Sequence, residues 1–290
     1  MMITTPGITT SVCELIRRKA LKVAGMVLMI SAFLASPQGG CATYTGSVQI
    51  ATGDYIFSDR TTSFYFHNGI RFSAGPLSIS TNIPMVYQSS PWVSYSGAGM
   101  IPSGGTQHSQ IGGRKDGDKM ALVDTVQYDQ VGLGDPSLHL DVELLRERRT
   151  VPSLHLTADL KAPLADMDSG FGTGEWDYGA GFSLAKTVGR SFVFVDVAYW
   201  VLGDLPDLVL HDAVAYGIAF GRPLAAGKYA VLISLSGYSR ILEDTDPPAQ
   251  VGIAISHRLS SSVSLSGNVA LGVTESTPDV SASLGWQIGL

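Results

Sequence analysis

The chain has 290 residues, 45% of them hydrophobic, 9% aromatic and only 15% charged. Soluble domains average about 25% charged, so the surface offered to water is thin in charge and points towards lipid. A net charge of -6, from 19 basic and 25 acidic residues, excludes a general nucleic-acid binder for want of a basic footprint, and the apolar content excludes a disordered chain.

Arg17, Arg18, Lys19 and Lys22 precede an apolar run from Val23 to Ala35, which Pro37, Gly39 and Gly40 terminate. That order is the order of a secretory signal peptide. The run falls short of the roughly 20 residues of a spanning helix. Gly40-Cys41-Ala42 offers small residues at the last and third-last positions before a cut, so residues 1–42 read as signal peptide and the mature chain starts near Thr43. Both cysteines, Cys13 and Cys41, fall in that segment, which argues against a disulfide framework. A lipoprotein reading of Cys41 meets Gln38 where an aliphatic residue is wanted.

Residues 43–290 read as strands. Period-two alternation dominates, first over 46–57, 62–73 and 77–87. In Ser137–Leu144, Leu138, Leu140, Val142 and Leu144 alternate with Ser137, His139, Asp141 and Glu143; in Ser153–Ala162, Leu154, Leu156, Ala158 and Leu160 alternate with Ser153, His155, Thr157, Asp159 and Lys161. Further segments cover 176–188, 191–203, 209–221, 228–241 and 249–259. The last two, Ser261–Thr274 and Val280–Leu290, set Val, Leu, Trp and Ile against Ser, Gly, Asn and Gln.

Alternation alone does not separate a membrane barrel from a soluble sandwich, but the polar face does. Small uncharged polar residues suit a confined lumen better than open water. The expected fold is all-β, a transmembrane antiparallel up-and-down β-barrel of about twelve strands. Short links at Ala74–Pro76, Glu147–Thr150, Val188–Arg190, Ala225–Gly227 and Ser260–Ser262 alternate with longer or acidic ones at 88–126, 163–175, Gly203–Leu208, Glu243–Ala249 and Glu275–Asp279. Short periplasmic turns and longer outer loops are the habit of outer-membrane barrels. Aromatics including Tyr55, Phe57, Phe64, Phe66, Tyr178, Tyr199, Tyr216 and Trp286 sit near strand ends, as girdle residues do.

Three motifs come in order: Tyr128-Asp-Gln-Val-Gly-Leu-Gly-Asp-Pro-Ser-Leu-His-Leu140, then Leu160-Lys-Ala-Pro-Leu164, then Gly172-Thr-Gly-Glu-Trp-Asp-Tyr-Gly179, preceded by Ser80-Thr-Asn-Ile-Pro-Met-Val-Tyr87. They resemble the outer-membrane proteins associated with the phenol meta-cleavage degradation pathway. The resemblance implies a signal-bearing barrel of a Gram-negative outer membrane that transports small, often hydrophobic or aromatic compounds, and it implies no enzyme of phenol breakdown. The chain departs from that pattern in its terminal Leu290, where barrel-assembly signals usually carry Phe or Trp, and in its long Gly-rich loop at 88–126.

With polar faces inward, the lumen lining consists of His139, Asp141, Glu143, His155, Asp159, Lys161, Asp177, Asp196, Arg240 and Arg258, with Glu175 and His211 nearby. Pairing through the 147–150 turn brings His155 opposite Asp141 or Glu143. Two readings stay open: a selectivity lining that sets a transverse field for a passing solute, or a salt-bridged filling that only stiffens the barrel. The loop at 88–126 is long enough to fold into the mouth as a gate. No recognised metal-ligand spacing occurs, and no cofactor is expected.

The expected function is an outer-membrane channel for small solutes, not an enzyme. Its partners would be outer-membrane lipid and lipopolysaccharide, the solute, and the barrel-assembly machinery, with no nucleic acid. The alternatives are a non-conducting structural or adhesion barrel acting through its outer loops, and a lipid-modifying enzyme of the Ser–His type. The second is disfavoured because none of the six histidines has Ser two positions later.

Overall fold

The computed structural model describes residues 40–57, 60–90, 93–97, 99–102, 130–166, 171–204 and 208–290. The expected signal segment lies outside these residues except for its last three, and so does most of the 88–126 loop.

Alternating apolar and small polar residues produce strands wherever the sequence pattern has period two: β1 (Cys41–Gly53), β2 (Thr61–Ala74), β3 (Leu77–Gln88), β4 (Val93–Ser96), β5 (Gly99–Pro102), β6 (Gln130–Leu133), β7 (Ser137–Leu145), β8 (Ser153–Lys161), β9 (Asp177–Val188), β10 (Ser191–Val201), β11 (Ala213–Leu224), β12 (Tyr229–Tyr238), β13 (Ala249–Arg258), β14 (Val263–Gly272) and β15 (Val280–Gly289). Each wall strand pairs antiparallel with its neighbours, and β1 meets β15 from Thr43↔Gly289 to Thr52↔Val280. Leu290 adds a hydrogen bond from its N–H to the Ala42 carbonyl. The sheet is therefore closed, with twelve wall positions, as the alternation predicts.

One wall position is split. β3 pairs through Met85–Gln88 with β6 and through Leu77–Asn82 with β7. The break at Gly134, Asp135 and Pro136 turns the Asp135 side chain inward. Between β3 and β6 an additional hairpin, β4–β5, pairs only with itself.

Alternation assigns the two faces. Val48, Ile50, Phe66, Ile253, Ile255, Val269, Leu271 and Leu284 point outwards and are exposed, forming a greasy belt around the wall. A hollow of about 820 Å³ lined by outward side chains such as Val48, Phe66, Ile253 and Leu284 belongs to this lipid-facing side. Hydrocarbon cannot satisfy peptide groups, and closure leaves no strand edge to be satisfied. No helix among the described residues is long and apolar enough to cross a membrane; the crossing is made by strands.

Five short connections and both ends of the barrel sequence share one rim, and six longer connections share the other. Three of the short turns carry a glycine in the left-handed region, Gly75 (φ 59°), Gly189 (φ 63°) and Gly227 (φ 83°), a conformation that costs glycine nothing. At the 146–152 turn, Glu147 accepts hydrogen bonds from the Thr187 N–H at 2.7 Å and from Lys186 Nζ at 3.1 Å. The Thr187 amide foremost, with Lys186 behind it, holds the Glu147 carboxyl below its ordinary value.

Tyr178, Tyr199, Tyr216, Phe64 and Phe66 stand exposed on the outer face, as girdle positions require. Tyr55 and Phe57 do not: β1 ends at Gly53, and both rings are buried in the first long loop. The reason is that the alternation continues past the point where the loops begin to form their own apolar core.

The face assignment predicts asymmetric tolerance to charge. Leu284→Arg, near the middle of the outer face of β15, should destabilise the barrel by about 2–4 kcal/mol, whereas Arg placed at its inward neighbour Ser283 should cost far less; urea unfolding in lipid vesicles measures both.

Candidate functional site at the occluded mouth

The three sequence motifs converge on one buried cluster at the long-loop rim. Lys161 closes β8, Asp177 opens β9, and Asp135 occupies the break between β6 and β7. All three are buried, with relative exposures of 1%, 0% and 0%. Lys161 Nζ donates to Asp135 Oδ2 at 2.6 Å, to Thr173 Oγ1 at 3.1 Å and to the Glu175 carbonyl at 3.2 Å, and lies 3.3 Å from Asp177 Oδ2.

Two carboxylates against one ammonium leave excess negative charge, which backbone N–H groups offset. Leu164 and Ala165 donate to Asp135 Oδ1, each at 2.8 Å. Gly203 donates to Asp177 Oδ1 at 2.9 Å, and Gly97 donates to Asp177 Oδ2. The cluster thus ties together the wall, the third and fourth long loops, and the β4–β5 hairpin. Gly97 and the wall residue Gly179 both lie against the Trp200 ring, where an added Cβ would be 2.4 Å and 2.8 Å from it. Only a residue without a side chain brings the hairpin so close to the wall.

From this anchor the hairpin reaches across the mouth. Val93 and Ile101 pack in an apolar core with Tyr55, Ile56 and Phe57 of the first loop, Leu202, Leu208 and Leu210 of the fourth, and Ile241 and Leu242 of the fifth. Met100 packs against this core and also against a second one of Tyr65, Val86, Ala165 and Phe171. The Tyr55 hydroxyl donates to Met100 Sδ at 3.6 Å. Tyr55 is held at φ 52°, an uncommon region for a non-glycine residue, and burial, followed by the Asp279 carboxylate, drives its phenol well above the ordinary value. Arg60 stitches the loops outside, 3.0 Å from Asp54 and 2.7 Å from Asp279.

Below the cluster a charged stretch of lumen wall runs over β7 to β10. His139 Nδ1 lies 2.7 Å from Asp159 Oδ1, and His155 Nδ1 lies 2.9 Å from Asp141 Oδ1. In register His155 faces Glu143, but Glu143 is instead engaged by Arg146, at 3.2 and 3.3 Å. Ser183 Oγ donates to Asp196 Oδ1 at 2.6 Å. Arg71 extends the stretch through Ser80, which pairs with both Arg71 and His139, and Arg258 ends the inward face of β13.

Three residues expected in the lining have other places. Lys161 and Asp177 are sealed in the cluster, because the loops fold over the end of the wall where they stand. Arg240 follows the last residue of β12 and is exposed on the fifth loop, since the strand ends at Tyr238. Glu175 and His211 also lie on loops. Asp135, Thr173, Gly97, Met100 and Trp200 are the residues the lining pattern misses. Asp135 and Thr173 lay within the quoted motifs, whereas nothing local marks Gly97 or Met100. Among the described residues no three His, Cys, Asp or Glu side chains are grouped to hold a metal ion.

Neither a protein-family model nor a curated protein matches the sequence. Among solved structures the chain is similar to the COG4313 outer membrane channel from Pseudomonas putida F1, with a TM-score of 0.63 and 13% identity, over 88% of this chain and 97% of that one. The CymD monoaromatic hydrocarbon channel matches at a TM-score of 0.46 and 9% identity, over 88% and 89% of the two chains. The KdgM porin gives 0.46 and 9% over 87% and 99%. The first of these likenesses shows that the two chains share a barrel fold.

Removing one member of a buried ion cluster strands the others. Lys161→Met should therefore destabilise the protein by about 3–5 kcal/mol, read as a lower urea midpoint. Gly97→Leu should leave that midpoint near the wild-type value while expelling the hairpin from Trp200, read as new protease cleavage at the mouth.

Proposed function

We propose that the protein is an outer-membrane channel that lets small solutes into the periplasm, and that it is not an enzyme. The observation that carries the reading is a closed barrel with a lipid-compatible outside and a polar inner face, whose mouth is narrowed by a hairpin anchored to the wall. The resemblance of the motifs to the phenol meta-cleavage outer-membrane proteins adds hydrophobic or aromatic compounds as the solute class. Lipid and lipopolysaccharide would surround the belt, the barrel-assembly machinery would insert it, and residues 1–42 would direct its export.

The inner face of β7 to β10 supplies the selectivity lining in this reading. Asp141, Glu143, Asp159 and Asp196 outnumber Arg71, Arg146 and Arg258, and such an inner surface favours cations. Neutralising carboxylates without changing their shape isolates that effect. Purified protein in planar bilayers should conduct, with a preference for potassium over chloride that falls severalfold in the double variant Asp141→Asn, Asp159→Asn. Absence of any conductance in the wild type would favour the non-conducting structural barrel.

A further inference from the structure

The lumen has two unlike sides. Opposite the charged stretch, the inward faces of β12 to β15 and β1 carry Ser, Asn and Gln: Ser283, for example, pairs with Gln49 on one side and Asn268 on the other. The hairpin is anchored by its turn, at Gly97, to the wall at β9 and β10 through Asp177 and Trp200, and Gly99 and Met100, at the start of its second strand, face this uncharged side. A cavity of about 200 Å³ remains there, between Gly99 and Met100 of the hairpin and the wall residues Gln49, Ser236, Tyr238, Gln250 and Ser281. Every described residue lining it is uncharged.

Size and lining together define what fits. An apolar cavity of about 150 Å³ accepts benzene, so this one has room for a single ring with small substituents. Tyr65, Tyr238 and the Met100 thioether present flat or polarizable surface to a ring. Gln250 Nε2 donates to Ser236 Oγ at 3.3 Å, which leaves the Gln250 carbonyl oxygen and the second amide hydrogen for a solute. A ring-sized anion filling the cavity would lose its water with no opposite charge to meet it, a larger cost than desolvating a hydroxyl group that finds a partner.

We propose that this cavity is the selective step of the pathway, a binding site for uncharged single-ring molecules bearing hydroxyl groups, with Met100 forming one of its walls. The inference rests on the channel reading and refines it: the charged stretch of wall sets the small-ion preference, while the uncharged gap sets which organic solute passes. The common chemistry, a hydroxylated ring, is met both by aromatic diols and by cyclic polyols.

Single-channel current block tests it, with resorcinol as the aromatic probe, myo-inositol as the saturated one and benzoate as the charged control. Resorcinol, inositol or both should block the wild-type current at concentrations where benzoate does not, and which of them blocks identifies the source of the ring. Gln250→Leu should weaken that block about tenfold, the loss of one or two hydrogen bonds, and Met100→Trp should cut the open conductance at least about twofold by filling the gap. Equal block by benzoate, or unchanged block in Gln250→Leu together with unchanged conductance in Met100→Trp, overturns the site while a conducting wild type keeps the channel. A wild type that conducts nothing overturns both.

Discussion

Peptide groups facing hydrocarbon have no water to turn to, and a chain that crosses a bilayer with strands must return its first strand to its last. Ten paired residues between β1 and β15 meet that demand here, and the closing hydrogen bond from Leu290 to Ala42 continues the pairing to the rim. Closure then dictates everything inside. Twelve strands enclose a narrow space, so side chains on the inner face must be small, paired, or both. Serine, glycine and asparagine on one side and histidine–carboxylate pairs on the other are the two solutions this sequence uses.

The mouth obeys a different constraint. A lysine ammonium almost wholly removed from water is tolerable only with opposite charge and full hydrogen bonding around it. Lys161 obtains both, but only if the β6–β7 break, the third loop and the start of β9 come to the same point. A buried ion cluster is weak evidence for stability, because an apolar replacement of all its members is often as stable. Its value here is geometric. Each member arrives from a separate segment, and the Asp177 oxygen that faces Lys161 also receives the Gly97 amide of the hairpin. The cluster therefore specifies where the loops and the hairpin sit, while Val93, Ile101 and their apolar neighbours supply the burial that holds them there.

How much of this is legible in the sequence divides along the same line. The wall is legible because period two is imposed by the solvent on either face: Leu284 and Ser283 differ in environment by the whole thickness of a strand, and their side chains record it. The histidine–carboxylate pairing across the β7–β8 turn follows from register alone, to within the two residues that separate Asp141 from Glu143. The mouth is less legible. Lys161 and Asp177 continue the alternation of their strands and so read as lining, and nothing local shows that loops from elsewhere cover them. Tyr55 and Phe57 mislead in the same way. What the sequence does contain is the three motifs, whose charged and hydroxylated residues, Asp135, Lys161, Thr173 and Asp177, have no local partners and find them only in one another.

The two sides of the lumen and the placement of the anchor bear on each other. Fastened by its turn to β9 and β10, the hairpin places Met100 beside amides and hydroxyls that tolerate an apolar neighbour at little cost. The ionic anchor fixes the turn of the hairpin, and the Met100 thioether close to that turn is held by the Tyr55 hydroxyl and by the two apolar cores. The same folding constraint that buries Lys161 thereby places Met100 at the edge of the cavity lined by Gln49, Ser236 and Gln250.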